Sequence, residues 1–311
     1  MLYSPTPLHI PENFLSLAVS VVCWLITASV LSVAISRTNQ SLGERQVPLM
    51  GVMAAFIFAA QMINFPVIGG TSGHLLGGVL AAITLGPWAG MLVMTAVIAV
   101  QALLFQDGGL LVMGANIMNM GLITVAIGYG LYRGVSGGNN TLKLLIAGIA
   151  AWLSVMAGAL FTSLELWLSG YAKLQIVIPA MLSVHALIGI GEALITVTAL
   201  AFILQSRPDL LGEKSESSKG SRIWVIVGAL VTLIVVFLSP LASSDPDGLE
   251  RVATDLGLLQ LAGNSPYQIL PDYTLPFLGS TPASTIVAGT IGILVVGGII
   301  VLLGQGMKAK S

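Results

Sequence analysis

Residues 46–106 read QVPLMGVMAAFIFAAQMINFPVIGGTSGHLLGGVLAAITLGPWAGMLVMTAVIAVQALLFQ, without a single Asp, Glu, Lys or Arg. A transmembrane helix needs about 20 apolar residues, so this stretch is long enough to cross a bilayer more than once. Residues that favour turns interrupt it around Asn64, Pro66 and Gly70, and again at Gly86 and Pro87. We therefore predict three crossings here, over residues 47–65, 72–86 and 88–105.

The rest of the chain has the same character. Hydrophobic residues make up 56% of its 311 residues, charged residues 8%, and the mean hydropathy is +0.96. A water-soluble domain has about a quarter of its residues charged. The uncharged runs predict six further helices, over residues 15–36, 113–132, 143–168, 176–204, 223–241 and 285–304. The predicted fold is all-α, a polytopic membrane bundle of nine helices.

A polar segment divides these helices into two modules. Residues 207–222 are rich in serine and charge and predict a cytoplasmic linker. Residues 1–206 then form a seven-helix module, and residues 223–311 form a two-helix hairpin with a long loop over residues 242–284. That loop is acidic, and two interpretations stay open: it attracts cations, or it is simply solvated. Cys23 is the only cysteine, which excludes an intrachain disulfide and a thiolate metal cluster.

Basic residues predict how the chain is oriented, because they concentrate in cytoplasmic loops. With nine crossings and an extracytoplasmic N-terminus, only Lys173 and Arg251 lie outside. The C-terminus is then cytoplasmic, and we expect a multi-pass protein of the plasma (inner) membrane. The remaining basic residues fall on the cytoplasmic side: Arg37, Arg45, Arg133, Lys143, Arg207, Lys214, Lys219, Arg222, Lys308 and Lys310.

Two of the three histidines fall at the predicted outer face. His9 lies in the N-terminal tail, and His74 begins the predicted third helix. Asn64 lies at the same end and is a candidate to orient the ligands. Imidazole is a good ligand for nickel, cobalt, copper and zinc, so His9 and His74 are candidate metal ligands. The alternative is that each histidine only forms hydrogen bonds at the membrane interface.

Four further polar residues stand out in apolar helices. Asn116 and Asn119 are one helical turn apart and share a face. His185 and Glu192 are two turns apart on another helix. A carboxylate in hydrocarbon is costly and usually faces a partner or a cavity, so we expect Glu192 to lie on a transport path, deep in the bilayer and away from the outer site. The alternative is that the pair only locks helices together.

No catalytic motif is present in the sequence. It lacks the G-x-x-x-x-G-K-[ST] phosphate loop, the H-E-x-x-H zinc-protease helix and the G-x-S-x-G nucleophile turn. The chain is therefore not predicted to be an enzyme, and it does not hydrolyse ATP through a phosphate loop. An intramembrane enzyme that uses His185 and Glu192 is a weak alternative.

Several motifs in chain order resemble the cobalt/nickel substrate-binding component of energy-coupling-factor transporters. They begin with AFIFAAQMINFP at residues 55–66 and GTSGHLLGG at residues 70–78. LGPWAG at residues 85–90, QALLF at 101–105, DGG at 107–109 and GAN at 114–116 follow, and HALIGIGEALIT at 185–196 closes the series. The PDGLE sequence at residues 246–250 resembles the small accessory subunit of the same systems, here fused to the first module.

This resemblance implies a transporter subunit that selects Co²⁺ or Ni²⁺ but not which of the two. A membrane coupling subunit and two ATPase subunits would drive the uptake. It implies no cofactor beyond the transported ion and no nucleic-acid partner. In the family, the ligands are the N-terminal amine, the backbone nitrogen and imidazole of the histidine at position two, and an imidazole that matches His74.

The N-terminus departs from the family pattern. His9 follows eight residues, whereas the family's histidine follows only the initiator methionine. We therefore expect the mature chain to begin at the residue written as Leu8, which UUG and CUG start codons would translate as methionine. Otherwise this member binds metal differently. The main functional alternative is a self-sufficient divalent-cation channel or secondary carrier.

Overall fold

The structure is a computed structural model, and it describes residues 9–43, 46–135, 137–211, 223–263, 265 and 267–308. Most of this part of the chain is helical, and the only sheet in it is one short antiparallel hairpin, β1 (Phe65–Val67) with β2 (Thr71–Gly73). The α-helices are α1 (Leu17–Ser41), α2 (Gln46–Gln61), α3 (Gly78–Leu85), α4 (Pro87–Val100), α5 (Met113–Asn116), α6 (Thr124–Arg133), α7 (Asn140–Leu168), α8 (Leu174–Ser206), α9 (Ile223–Leu238), α10 (Gly248–Asp255) and α11 (Pro282–Lys308).

The predicted polytopic helical fold is confirmed. In the described residues, seven helical stretches are long and apolar enough to cross a membrane. Two of them join shorter elements through π-helical turns: α4 continues through Gln101–Phe105, and Ile117–Ile123 connects α5 to α6. Extra residues in a π turn alter which side chains face inward, and such turns are frequent at functional sites. Both turns lie near the cavity described below.

The predicted third helix, over residues 72–86, is wrong in its first half. Residues 71–77 are a strand and an irregular segment, and α3 has only eight residues. Gly77 takes a left-handed φ of 82°, a conformation that glycine adopts at little cost, and it stops helix α3 from extending backwards. His74 therefore lies in an irregular segment before the helix, and it does not begin it.

The chain nevertheless returns across the bundle within this region. The side chain of Gln46, at the start of α2, donates to the carbonyl of Leu85, at the end of α3. Gly86, with a φ of 79°, then turns the chain directly into α4. Eight helical residues, at 1.5 Å each, are too short to cross the bundle alone. The extended residues before α3 supply the rest of the length.

The two C-terminal helices pack on α2 through small residues. A Cβ on Gly304 or Gly51 would lie 2.8 Å from the side chain of Val47 or Val301, respectively. Gly292 of α11 similarly leaves room for the ring of Phe58. Small residues let membrane helices approach closely, so α2 is covered by the C-terminal module.

The β-hairpin marks one end of the bundle, which we call the hairpin end. The loops that follow α4, α7 and α9 lie at this end together with residues 9–16 and the start of α11. The basic side chains of Arg37, Arg133 and Arg207 fall near the opposite helix ends, as the charge pattern predicts.

Candidate metal site

Most of the N-terminal segment, residues 9–14, is buried in the hairpin end. The segment is therefore packed against the bundle and is not a free tail: His9 is only 2% exposed, and Ile10 and Phe14 are equally enclosed. The side chain of Asn116 accepts from the N–H of Ile10 (3.0 Å) and donates to the Ile10 carbonyl (3.1 Å). Asn116 thus pairs with Ile10 as a neighbouring strand would, and this fixes the residue next to His9.

The segment that carries His74 is held by a buried carboxylate. Glu192 of α8 accepts from the N–H groups of Leu76 (2.6 Å) and Gly77 (3.0 Å), the two residues that directly precede α3. A negative charge at a helix N-terminus is favourable because unpaired N–H groups point toward it. Glu192 therefore bonds to the backbone only two residues beyond His74. The expectation that Glu192 lies away from the site of His74 is wrong.

The hydrogen bonds of the histidines define which ring nitrogen is free. Nδ1 of His9 lies 3.1 Å from the carbonyl oxygen of Asp107, Nδ1 of His74 lies 3.0 Å from that of Leu75, and Nδ1 of His185 lies 2.8 Å from that of Met181. A carbonyl only accepts, so each Nδ1 carries the proton and each Nε2 keeps its lone pair. This is the tautomer in which imidazole binds a metal through Nε2.

All three histidines line one cavity at the hairpin end, with a volume of about 80 Å³. The rings of His9 and His74 lie with their centroids 5.6 Å apart. Nε2 of His9 is buried and has no hydrogen-bond partner among the described residues. A water needs about 10–15 Å³ of such space, so an ion with several waters fits. In the described part of the chain, no three His, Cys, Asp or Glu side chains converge closely enough to hold a metal by themselves.

The C-terminal module contributes one wall of the cavity. Asp247 and Gly248 line it, and residues 245–247 bond to β2: Ser72 donates its N–H to the carbonyl of Pro246 (2.8 Å) and its hydroxyl to that of Asp245 (2.8 Å). A Cβ on Gly248 would lie 2.8 Å from the ring of His185, so only glycine fits there.

Asp247 is the residue in this wall that can respond to a cation. Its carboxylate caps α10 by accepting from the N–H of Glu250 (2.7 Å). Burial in the loop raises the pKa of Asp247 to about 8. The acidic loop is therefore not simply solvated. The sequence shows the charge of this loop but not where the loop packs, because the contacts join residues 173 or more positions apart.

The other candidates fall into different places. Asn119 lines the cavity on its inward side, where its amide donates to Glu165 (2.8 Å) and Thr162 (3.2 Å), and Cys23 contacts the same carboxylate. Asn64 is not among the described residues that line the cavity; its carbonyl instead accepts from the N–H of Ser243 (2.8 Å).

The fold and the site together define a class: a polytopic helical membrane protein with imidazoles buried in a cavity at one end of the bundle. The family model for the cobalt uptake substrate-specific transmembrane region matches residues 9–210, and the model for the PDGLE domain matches residues 221–309. The chain belongs to the cobalt uptake substrate-specific transmembrane family and carries a PDGLE domain behind it.

Relatives with the same two parts are found in archaea and bacteria. A putative fused nickel transport protein of Archaeoglobus fulgidus is 37% identical over 93% of this chain and 95% of its own length. A fused nickel transport protein of Rhodobacter capsulatus is 28% identical over 98% of this chain and 99% of its own. A crystal structure described as a transition metal transporter is 33% identical and superimposes with a TM-score of 0.58, covering 72% of this chain and 99% of that one.

Proposed function

We propose that this chain is the substrate-specific membrane subunit of an ATP-driven energy-coupling-factor transporter, and that it captures Ni²⁺ or Co²⁺ at the extracytoplasmic face. In this proposal, residues 1–206 bind the metal, residues 207–222 form a cytoplasmic linker, and residues 223–311 form an accessory module that covers the site. The named relatives support the class of substrate, since they are called nickel or cobalt transport proteins.

The observation that carries the proposal is the pair of imidazoles, His9 and His74, in one buried cavity. Each ring is fixed through Nδ1 and keeps the Nε2 lone pair for a metal. Nickel and cobalt ions accept imidazole nitrogen readily, while waters or backbone groups complete the coordination. His185 lines the same cavity and is a candidate third ligand. Asn116 and Glu192 orient the ligand-bearing segments.

The orientation of the protein supports capture from outside. Arg37, Arg133 and Arg207 lie at the end of the bundle opposite the cavity, and basic residues favour the cytoplasmic side. We therefore place the hairpin end, with the N-terminus, outside the plasma membrane and the C-terminus inside. The further basic positions 45, 214, 219, 222 and 310 lie outside the described residues and agree with this by sequence alone.

Partners would supply the energy for transport. The sequence has no phosphate loop, so ATP hydrolysis falls to other chains, proposed to be two ATPase subunits joined through a membrane coupling subunit. This separation predicts that the chain alone binds metal but does not accumulate it.

The first experiment measures Ni²⁺ and Co²⁺ binding to the purified full chain and to His74→Ala. We expect His74→Ala to lose high-affinity binding while the protein stays folded, because His74 lies in an irregular segment that other residues hold. Asn64→Ala is the matched control, since this polar residue lies near the same end but outside the cavity; its affinity should change little. Wild-type affinity in His74→Ala would contradict the proposed site.

The second experiment separates the proposal from a channel or secondary carrier. The chain is expressed by itself in cells that lack a nickel and cobalt uptake system, and radioactive metal uptake is followed. We expect uptake at background level from a chain that still binds metal after purification. Uptake by the chain alone, abolished by His74→Ala, would instead establish the self-sufficient carrier.

A further inference from the structure

Asp107 stands between the metal site and the C-terminal module. It follows the π-helical turn of α4 and is buried. On one side, its carboxylate oxygen Oδ1 lies 3.6 Å from Nδ1 of His9, and its backbone carbonyl lies 3.1 Å from the same nitrogen. On the other side, its Oδ2 accepts from the hydroxyl of Tyr273 (2.6 Å). One residue thus contacts a proposed ligand and a distant module simultaneously.

The segment that carries Tyr273, residues 269–275, is docked firmly into the first module. Leu270 donates its N–H to the carbonyl of Leu104 (3.0 Å). The ring of Tyr273 stacks on that of Phe105, with centroids 4.7 Å apart and planes 18° apart, and a T-shaped contact to Phe58 follows at 6.0 Å. These contacts place the hydroxyl toward Asp107 and exclude water around it.

The backbone of this segment is unusual in a way that points to a constraint. Asp272 and Tyr273 both have left-handed φ values, 51° and 55°, although neither is glycine. Such conformations are costly for residues with a Cβ and persist only where surrounding contacts fix them. Here the conformation turns the Tyr273 ring into the first module.

We infer that Tyr273 is a positioning residue for the metal ligand His9 and acts through Asp107. The Tyr273 hydroxyl holds Oδ2 and so fixes Asp107 in place, and the Asp107 carbonyl, hydrogen-bonded to Nδ1, then fixes the direction of the His9 ring, with Oδ1 close to the same nitrogen. Hydrogen-bond partners of this kind orient histidine ligands in metal sites, and their loss weakens metal binding about 10- to 100-fold. The inference rests on the proposed function, and it gives the accessory module a direct effect on metal affinity.

The test is a double-mutant cycle of Ni²⁺ affinity on the purified full chain, with Tyr273→Phe, Asp107→Ala and the double variant. Tyr273→Phe keeps the stacked ring and removes only the hydroxyl. We expect about a tenfold loss of affinity from each single change and little further loss in the double variant, because both changes break one connection. Thr274→Val is the control, since it removes a hydrogen bond within the same segment, to the Pro271 carbonyl, and should bind as wild type.

Each arm can overturn the inference. Wild-type affinity in Tyr273→Phe, or in Asp107→Ala, shows that this connection does not position His9. Additive losses show that Tyr273 supports the fold and does not act through Asp107. His74→Ala separates these outcomes from a failure of the proposed function. If His74→Ala also binds metal with wild-type affinity, the proposed site is wrong. If His74→Ala loses binding while the Tyr273 and Asp107 variants keep it, only the positioning role fails.

Discussion

The two histidine-bearing segments at the hairpin end are both irregular and buried, but they are held differently. The His74 segment lies in mid-chain, between β2 and α3, and its support includes a charge, the carboxylate of Glu192. The His9 segment precedes α1, and the residue beside His9 is held by the neutral amide of Asn116 and by the N–H of Gly109. We therefore expect the His9 segment to detach more readily than the His74 segment, which continues on both sides into β2 and α3.

This difference predicts that the two supports fail in different ways. Loss of a support for the His9 segment should lower metal affinity with little effect on stability, since segments outside the helices open locally at lower cost than the helices do. Loss of the support for the His74 segment should lower stability and affinity together, because α3 and a buried charge depend on it. Comparing affinity with thermal stability in matched variants tests the distinction.

Asn116→Ala should have the largest effect on affinity. It leaves the N–H of Ile10 without a partner and the Ile10 carbonyl with only the N–H of Gly109, and we expect a loss of about 10- to 100-fold in Ni²⁺ affinity, measured by calorimetry, with a small shift in Tm. Thr27→Val is the matched control, because it removes a buried hydrogen bond to Gly114 on the same helix without touching residues 9–14. A large fall in Tm in Asn116→Ala, with unchanged affinity, would contradict the comparison.

Glu192→Gln should affect both quantities moderately. The amide oxygen can accept from one of the two N–H groups, but the amide nitrogen then faces the other donor. Since a hydrogen bond to a charged group contributes about 1.5–3 kcal/mol, we expect a clear fall in Tm and a loss of affinity of about tenfold. Glu165→Gln is the control, as it changes a buried carboxylate that bonds side chains and not the His74 segment. Unchanged Tm in Glu192→Gln would show that this support is dispensable.

Much of the site was visible in the sequence because polar residues are rare in it. His9, His74, Asn116 and Glu192 stand out against apolar neighbours, and all four lie at the cavity or hold the segments around it. Their roles were harder to predict. Glu192 is predicted on a transport path deep in the bilayer because its position along α8 indicates depth. That position does not indicate which segment packs against its side chain.

The missed features depend on contacts between distant parts of the chain. Three-residue strands leave no periodic pattern, so β1 and β2 were not predicted, and the burial of residues 9–14 follows from Asn116, more than 100 positions away. Asp247 and Tyr273 belong to a loop whose composition alone fits solvent exposure. No local pattern marks which of its acidic or aromatic residues enter the first module. The PDGLE sequence was the one signal, and it pointed to a resemblance only.

Asp247→Asn should have the smallest effect on affinity and a distinct effect on protons. Burial raises the pKa of Asp247 to about 8, so at pH 7 the carboxyl is mostly protonated in the metal-free protein. A cation in the cavity favours the ionised form, and binding then releases a proton. Asparagine caps helices as well as aspartate, so the fold should persist, and we expect an affinity loss of less than about tenfold.

Calorimetry at pH 7, in buffers with different ionisation enthalpies, counts those protons. We expect Asp247→Asn to release about one proton fewer than the wild type on binding Ni²⁺. Stability gives an independent readout: the folded pKa lies above the unfolded value of about 3.9, so the stability that this carboxyl contributes is present at low pH and is lost as the pH rises toward 8. Asp247→Asn should remove that dependence in the metal-free protein. Equal proton release and equal pH dependence in both proteins would show that Asp247 only caps α10, and that the C-terminal module closes the cavity without sensing its charge.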